Sequence, residues 1–194
     1  MPKLSDPRLR VIHLPVGGPC NARCVGCAGA FVPPVTVEQV QAAAEAARPA
    51  VVVLTGPGEP TLREDLPDLV HAARRGGAVR VALVTNGRML AYGRLVDRLV
   101  GLRLSHVIVT VRHADPAEHD RRVAVPGAFQ QTLQGLRNLA RVATDEGLRI
   151  LVRTQARDDL PRLAALARAL GASALWVDGP PGPALPAAAV PVLD

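Results

Sequence analysis

The chain has 194 residues, of which 48% are hydrophobic and 21% charged, so one domain with a substantial core is expected. Its longest apolar runs, such as Ala50 to Leu54, are far shorter than the roughly 18 residues of a membrane-spanning helix. The net charge is +6 and Lys3 is the single lysine, so arginines supply the positive charge, which suits an acidic substrate or partner. One Trp, one Tyr and two Phe offer little for base stacking, which argues against nucleic acid as a substrate.

Strand-like and helical patterns alternate along the chain. Runs rich in valine and isoleucine predict six strands, at Leu9 to Leu14, Ala50 to Leu54, Val79 to Val84, His106 to Val111, Leu148 to Val152 and Ala174 to Val177. Helices are predicted at Val37 to Arg48, Leu66 to Arg75, Arg88 to Val100, Ala128 to Asp145 and Leu160 to Leu170. Thr36 and Gln39 predict a capping box for the first helix, and Asp159 predicts an N-cap for the last.

This alternation is typical of a parallel sheet covered by helices. A closed eight-stranded barrel needs about 250 residues. We therefore predict an α/β fold, a partial (β/α)6 three-quarter barrel like part of a TIM barrel, with parallel strands. A doubly wound sheet is the alternative. Residues 1–178 are predicted to form one core domain, and residues 179–194 an extended, poorly ordered tail rich in proline and alanine.

Cys20, Cys24 and Cys27 are the only cysteines, and they lie in one loop flanked by glycine and proline. This clustering predicts a metal site. A cubane iron-sulfur cluster normally takes four thiolates, so three leave one iron open to a substrate. The odd count and the charged N-terminal residues argue against a disulfide. A zinc site with His13 as fourth ligand and three inert buried cysteines remain alternatives. We predict a cytoplasmic protein, because thiols stay reduced in the cytoplasm and can bind a cluster there.

Polar residues and glycines follow several predicted strands. Thr55 to Pro60 follows the second strand, Thr85-Asn86-Gly87 the third, Thr110 to His113 ends the fourth, and Arg153 to Gln155 ends the fifth. In parallel α/β folds, ligands bind at the carboxyl ends of the strands. We therefore expect these segments and the cysteine loop to form one site.

The C-x3-C-x2-C spacing resembles the signature of radical S-adenosylmethionine (radical SAM) enzymes, and the resemblance extends from about Val11 to Val177. The chain resembles a short form of the family, one without an auxiliary-cluster domain. The resemblance implies that the three cysteines hold a 4Fe-4S cluster whose open iron binds S-adenosylmethionine. Gly58-Glu59-Pro60 resembles the end of the family's glycine-rich motif, in which Glu59 would orient the methionine amino group.

The same resemblance implies further cofactor contacts. Gly26 would contact the nucleotide through its backbone. Asn86 lies in a segment that resembles the family's third-strand ending, and Thr110 and Gln155 would bind the nucleotide's carboxylate or ribose.

The implied activity is reductive cleavage of S-adenosylmethionine to a 5′-deoxyadenosyl radical, which abstracts hydrogen from a peptide or small metabolite. An external one-electron reductant such as flavodoxin or ferredoxin is the expected partner. Arg112, His113 and His119 are predicted to act in catalysis by substrate contact or proton transfer, and Asp120 and Arg153 are further polar candidates. His119 and Asp120 have an alternative role in capping the following helix.

Other functions remain open. Within the radical SAM class, one alternative is activation of a partner enzyme by formation of a glycyl radical. An iron-sulfur electron carrier is one alternative outside it. A degenerate metal-binding domain is another, motivated by Gly26 and Pro57, which stand where the family usually has an aromatic residue and a glycine. A three-quarter barrel leaves one side open, which suits a large substrate or a partner protein.

Overall fold

The computed structural model describes residues 9–25, 27, 32–143, 147–179 and 190–191. In this part of the chain seven strands form one sheet in sequential order. They are β1 (Arg10–Pro15), β2 (Ala50–Thr55), β3 (Ala78–Thr85), β4 (His106–Thr110), β5 (Arg149–Thr154), β6 (Ala174–Val177) and β7 (Val190–Pro191). Neighbouring strands from β1 to β6 are parallel, as predicted. The short β7 lies in the predicted tail and pairs antiparallel with β6.

Helices connect the parallel strands. They are α1 (Val37–Ala46), α2 (Leu66–Arg75), α3 (Gly93–Gly101), α4 (Pro116–Val123), α5 (Ala128–Ala143) and α6 (Leu160–Ala169). The predicted capping box is present, since Gln39 N–H donates to Thr36 Oγ1 and Thr36 N–H donates to Gln39 Oε1. None of the described helices has the length and apolar character needed to cross a bilayer.

The sheet is curved but not closed, because β1 pairs with β2 alone. Even so, the rings of His13 on β1 and Trp176 on β6 meet edge to face with centroids 6.1 Å apart. Trp176 also packs on a small apolar cluster of Val53, Ala82, Val84 and Ile108. The inner face of the sheet therefore encloses a core of its own, and the three-quarter barrel prediction is confirmed.

The larger core lies between the outer face of the sheet and the helices. Fully buried leucines of strands and helices meet there, including Leu54, Leu83, Leu136 and Leu139. Residues alternate along each strand between this outer core and the barrel interior.

One predicted helix, Arg88 to Val100, is divided in the structure. A 3₁₀ turn covers Arg88–Ala91, Tyr92 has extended backbone, and α3 follows. The cause is tertiary: the side-chain amide of Asn138 donates to the carbonyls of Leu90 at 2.9 Å and Ala91 at 3.0 Å. Those carbonyls would accept from backbone N–H groups if the helix were continuous.

Helix α4 was not among the predicted helices. Asp115 caps it by accepting from Glu118 N–H at 3.0 Å, and Pro116 is its first residue. Asp159 is the N-cap residue of α6, as predicted, but its side chain makes no cap hydrogen bond. Its carboxylate instead accepts from Ala114 N–H at 2.7 Å, in the connection between β4 and α4.

Candidate active site

A cleft of about 320 Å³ lies at the carboxyl edge of the sheet. Volumes of roughly 300–1,000 Å³ are typical of small-molecule sites. The cleft brings together nine of the predicted site residues: Cys20, Cys24, Cys27, Gly58, Glu59, Asn86, Thr110, Arg112 and His119. His113 and Gln155 are not among the residues that line it, and Gly26 lies outside the described residues.

The cysteine loop, residues 16–35, connects β1 to α1, and all three thiols are free. Its backbone is anchored on α4, because Arg23 N–H donates to Val123 O at 3.0 Å and Val25 N–H to Arg122 O at 2.9 Å. The last carbonyls of a helix have no partner within the helix. The end of α4 therefore fixes the part of the loop that contains Cys24.

Arg63 holds the two ends of the cysteine loop together. Its guanidinium donates to the carbonyl of Val16 and, at 2.9 Å, to the carbonyl of Val35. Asp65 accepts from the same guanidinium at 2.6 Å and 2.8 Å. The Arg63 side chain is only 7% exposed, so the guanidinium of this clamp is buried, whereas Asp65 is 42% exposed.

Gly58 lets the loop after β2 approach the cysteine loop closely. Its φ is +89°, and a Cβ at this position would lie 2.5 Å from the carbonyl oxygen of Gly17. Both the positive φ and the space require glycine. The neighbouring Glu59 N–H donates to Pro19 O at 2.8 Å, directly before Cys20.

The three cysteines and Glu59 share one electrostatic environment. Burial raises the pKa of the Cys20 thiol, the N–H of Ala22 acts in the opposite direction, and the charges of Glu59, Cys24 and Cys27 raise it further. Metal ligation requires thiolates, and a bound cation stabilises them.

Three thiols in one loop are a donor set that suits a cubane iron-sulfur cluster. Among the described residues, no three Cys, His, Asp or Glu side chains converge as ligands of one metal ion would. In a cubane cluster each thiolate binds a different iron, so the sulfurs stay apart. His13, the fourth ligand in the zinc alternative, lies against Trp176 and is not among the lining residues of the cleft.

Glu59 is 2% exposed, and its carboxylate accepts hydrogen bonds from the connection after β2 and from the end of β3. Oε1 accepts from Thr61 N–H at 3.1 Å, from the Thr61 hydroxyl at 2.7 Å and from the Thr85 hydroxyl at 2.6 Å. Oε2 accepts from Asn86 N–H at 2.8 Å. Because a carboxylate oxygen has about two lone-pair sites, Oε2 retains capacity for a further donor in the cleft.

Asn86 connects β3 to the cysteine loop. Its amide Nδ2 donates to Asn21 Oδ1 at 2.7 Å and lies 3.9 Å from Cys20 Sγ. Arg88 adds a bond to the carbonyl of Asn21, and its Nε donates to Gln131 Oε1 at 2.7 Å. This segment therefore positions the first cysteine of the loop.

The ends of β4 and β5 form the far side of the cleft. Thr110 and Arg153 are neighbours in the strand register, and both line the cleft. Arg112 also lines it, and its guanidinium donates to the side-chain oxygen of Gln155. Gln155 itself is exposed, so it contacts the site through Arg112.

His119 is 1% exposed and packs edge to face on Phe129, with centroids 5.3 Å apart. Burial lowers the pKa of His119 to about 4, an effect that Asp120 partly opposes and Arg112 reinforces. Its Nδ1 accepts from Arg112 N–H at 3.2 Å. The neutral imidazole therefore carries its proton on Nε2.

Asp120 and His113 are engaged away from the cleft. The Asp120 carboxylate accepts from Gly127 N–H at 2.6 Å and Phe129 N–H at 2.7 Å, at the start of α5. His113 Nδ1 lies 3.0 Å from Asp115 N and 3.2 Å from Asp159 Oδ2. The alternative reading of Asp120, as a helix cap, fits this geometry.

Several residues that shape the site had not been predicted. They are Asn21, Arg63, Arg88 and Thr132. Thr132 donates from α5 to Asn86 O at 2.9 Å. Asn21 directly follows Cys20 and Arg88 directly follows the Thr85-Asn86-Gly87 segment, so adjacency to a predicted motif is a local signal for these two residues. The others depend on contacts between distant parts of the chain.

The chain is similar in sequence to several known enzymes. The chain is 30% identical over 184 residues to the AdoMet-dependent heme synthase of Methanosarcina barkeri (strain Fusaro / DSM 804), covering 89% of this chain and 50% of that protein. It is 42% identical over 95 residues to the PqqA peptide cyclase of Streptomyces rochei, covering 49% of this chain and 24% of that protein. The chain thus spans half or less of the length of these relatives.

A solved structure of anSMEcpe with bound AdoMet has a similar fold. It superposes with a TM-score of 0.64 at 15% identity, covering 86% of this chain and 50% of that one. At this identity the similarity concerns the fold. The family model of the Radical SAM superfamily matches residues 14–167, and the chain therefore belongs to this superfamily of enzymes.

Proposed function

We propose that this chain binds a 4Fe-4S cluster and S-adenosylmethionine in the cleft. When bound, these groups would supply a 5′-deoxyadenosyl radical by reductive cleavage of the sulfonium, for hydrogen abstraction from an organic substrate. The observation that carries the proposal is the position of three free thiols beside the Glu59 carboxylate, in one cleft at the carboxyl edge of a parallel sheet.

Cys20, Cys24 and Cys27 would each hold one iron. The anchoring of the loop on α4 and its closure by Arg63 support this assignment, because both fix the loop without using the thiols. Since the protein supplies three thiolates, one iron remains for the nucleotide.

Glu59 would accept from the amino group of S-adenosylmethionine through Oε2, the oxygen that has a single donor among the described residues. Gly58 lets the backbone of this connection contact the cysteine loop, since a side chain there would meet the carbonyl of Gly17. Asn86 and Thr110 would contact the nucleotide from the ends of β3 and β4. Gln155 would do so only together with Arg112, which binds its side chain. Gly26 would contact the nucleotide through its backbone.

Arg112 and His119 would act on the substrate side. His119 is neutral at pH 7 and holds its proton on Nε2, so it can donate a hydrogen bond. His113 would position the β4–α4 connection through Asp115 and Asp159. Removal of water from the cleft would protect a reactive radical from side reactions.

The substrate in this proposal is a peptide or a small metabolite. The relatives named as a heme synthase and a peptide cyclase support this range. An external one-electron donor such as flavodoxin or ferredoxin would reduce the cluster. We also propose a cytoplasmic location, because thiols stay reduced there.

The test is anaerobic reconstitution with iron and sulfide, reduction with dithionite, addition of S-adenosylmethionine and chromatography for 5′-deoxyadenosine. We expect deoxyadenosine from the wild-type protein and none from Cys24→Ala. A bound cluster that cycles redox states without cleavage would favour an electron carrier. Bound zinc without acid-labile sulfide would favour a degenerate metal-binding domain.

A further inference from the structure

The cleft carries more positive charge than its own carboxylates balance. Arg88, Arg112 and Arg153 line it, whereas Glu59 is the single acidic side chain among the described lining residues. The described donors to Glu59 are backbone N–H and hydroxyl groups of Thr61, Thr85 and Asn86. None of the three arginines is therefore paired with Glu59.

Two of these arginines bind neutral acceptors. Arg88 donates to the carbonyl of Asn21 and to Gln131, and Arg112 donates to Gln155. Both arginines are partly exposed and neither has a carboxylate partner among the described residues, so an anionic ligand in this cleft would be attracted to them. Arg88 lies on the cysteine side of the cleft, whereas Arg112 and Arg153 lie on the opposite side.

Arg153 is the arginine best prepared to bind a ligand. Its Nε donates to Asp178 Oδ2 at 2.6 Å, with the two side chains 31% and 17% exposed, so the guanidinium is oriented by the end of β6. Among the described residues, neither of its Nη groups has an acceptor. Because a guanidinium has five N–H donors, the Nη groups can bind a carboxylate while Asp178 holds Nε.

An apolar surface adjoins this arginine. Arg153 pairs in register with Thr110 on one side and Trp176 on the other. Trp176 packs on Val84 and Ile108 in the barrel interior, and Val84 also lines the cleft. Trp176 itself is not among the described lining residues, so the cleft combines the cation of Arg153 with the aliphatic side chains of Val84 and Val123.

We propose that Arg153, supported by Arg112, binds a carboxylate of the substrate, and that the substrate is an organic acid with an apolar body. This inference rests on the proposed function, which assigns the cysteines, Glu59, Asn86 and Thr110 to the cofactors and leaves Arg153 unassigned. Asp178 acts as a positioning residue for Arg153.

The experiment is isothermal titration calorimetry of the reconstituted protein with 3-phenylpropionate and with its neutral amide analogue, 3-phenylpropionamide. Each titration is done with and without S-adenosylmethionine. The two probes share the apolar body and differ in charge. We expect the acid to bind at least tenfold more tightly than the amide, and Arg153→Gln to abolish this preference. Arg137→Gln removes the same charge from an exposed position on α5 and should keep the preference.

Equal affinity for acid and amide, or no binding of either, would overturn the inference. So would an equal acid preference in Arg153→Gln and Arg137→Gln. A loss of S-adenosylmethionine affinity in Arg153→Gln as large as the loss for the acid would assign Arg153 to the nucleotide and overturn it too.

The two proposals fail separately, because the titration requires no turnover. A wild-type protein that forms no deoxyadenosine but prefers the acid through Arg153 would contradict the proposed function alone. A protein that forms deoxyadenosine without an acid preference would contradict the substrate inference alone.

Discussion

The side-chain amide of Asn86 donates a hydrogen bond of 2.7 Å to Asn21 and lies 3.9 Å from the sulfur of Cys20. Asn86, which directly follows β3, thus contacts both the thiol of Cys20 and the side chain of the next residue in the chain, Asn21. Hydrogen bonds to ligating sulfurs are among the factors that set the potential of iron-sulfur clusters. This contact ties the proposed cluster to the sheet.

We predict that Asn86→Ala lowers the reduction potential of the reconstituted cluster. The N–H···S contact is long, so it is worth at most about 1 kcal/mol, which corresponds to at most about 40 mV for a one-electron couple, because the contact stabilises the more negative, reduced state. Potentiometric titration followed by electron paramagnetic resonance measures it. Gln130→Ala, at an exposed position of α5, is the control. Equal potentials in both variants would refute the role of Asn86.

Glu59→Gln should destabilise the fold as well as weaken nucleotide binding. The carboxylate accepts four hydrogen bonds in a buried setting, and an amide would place a donor against other donors. We expect a loss of about 2–4 kcal/mol in the free energy of unfolding, measured with urea. Glu64→Gln, an exposed carboxylate on the same connection, should change it by less than about 0.5 kcal/mol. Similar losses in both variants would contradict this prediction.

The fold was predictable because its signals are local. The valine-rich strands, the capping box of Thr36 with Gln39, and the cysteine spacing each lie within a few residues of sequence. The polar ends of the strands followed from them, since parallel strands end at the same edge of a sheet.

What sequence reasoning missed depends on distant contacts. The division of the helix at Tyr92 requires Asn138, which lies 46 positions later and binds Leu90 and Ala91. The Arg63 clamp joins two loop ends that only the folded chain brings together. Helix α4 is short and strongly polar, so its apolar periodicity was too weak to detect, although Asp115 and Pro116 signalled its start.

Stability should fall in mild acid because His119 is buried in its neutral form. Its pKa is lowered from 6.5 to about 4 in the folded protein, chiefly by burial. A depressed pKa means that the folded state binds fewer protons. This contribution is therefore complete above about pH 6.5 and is lost as the pH falls toward 4, by about 2 kcal/mol at pH 5.

Urea unfolding at pH 7.5 and pH 5 measures this effect in His119→Asn, whose side chain can still accept from Arg112 N–H. We expect a weaker pH dependence than in the wild type. Some dependence should remain, because burial also lowers the pKa of His106. His71→Asn, on the exposed face of α2, should keep the wild-type slope. An unchanged slope in His119→Asn would show that His119 does not titrate in this range.

Arg63→Ala should loosen the cysteine loop. The substitution removes the bonds to the carbonyls of Val16 and Val35, which lie on either side of the cysteines, and leaves Asp65 unpaired. Loss of these charged hydrogen bonds should lower the unfolding free energy by about 3 kcal/mol.

Arg23, which is exposed within the loop, provides a tryptic site that reports local opening. We expect cleavage after Arg23 to accelerate by about tenfold or more relative to Arg98→Ala, an exposed arginine of α3, because opening of the loop then costs less free energy. Cleavage at the same rate in both variants would mean that the anchoring on α4 alone holds the loop closed.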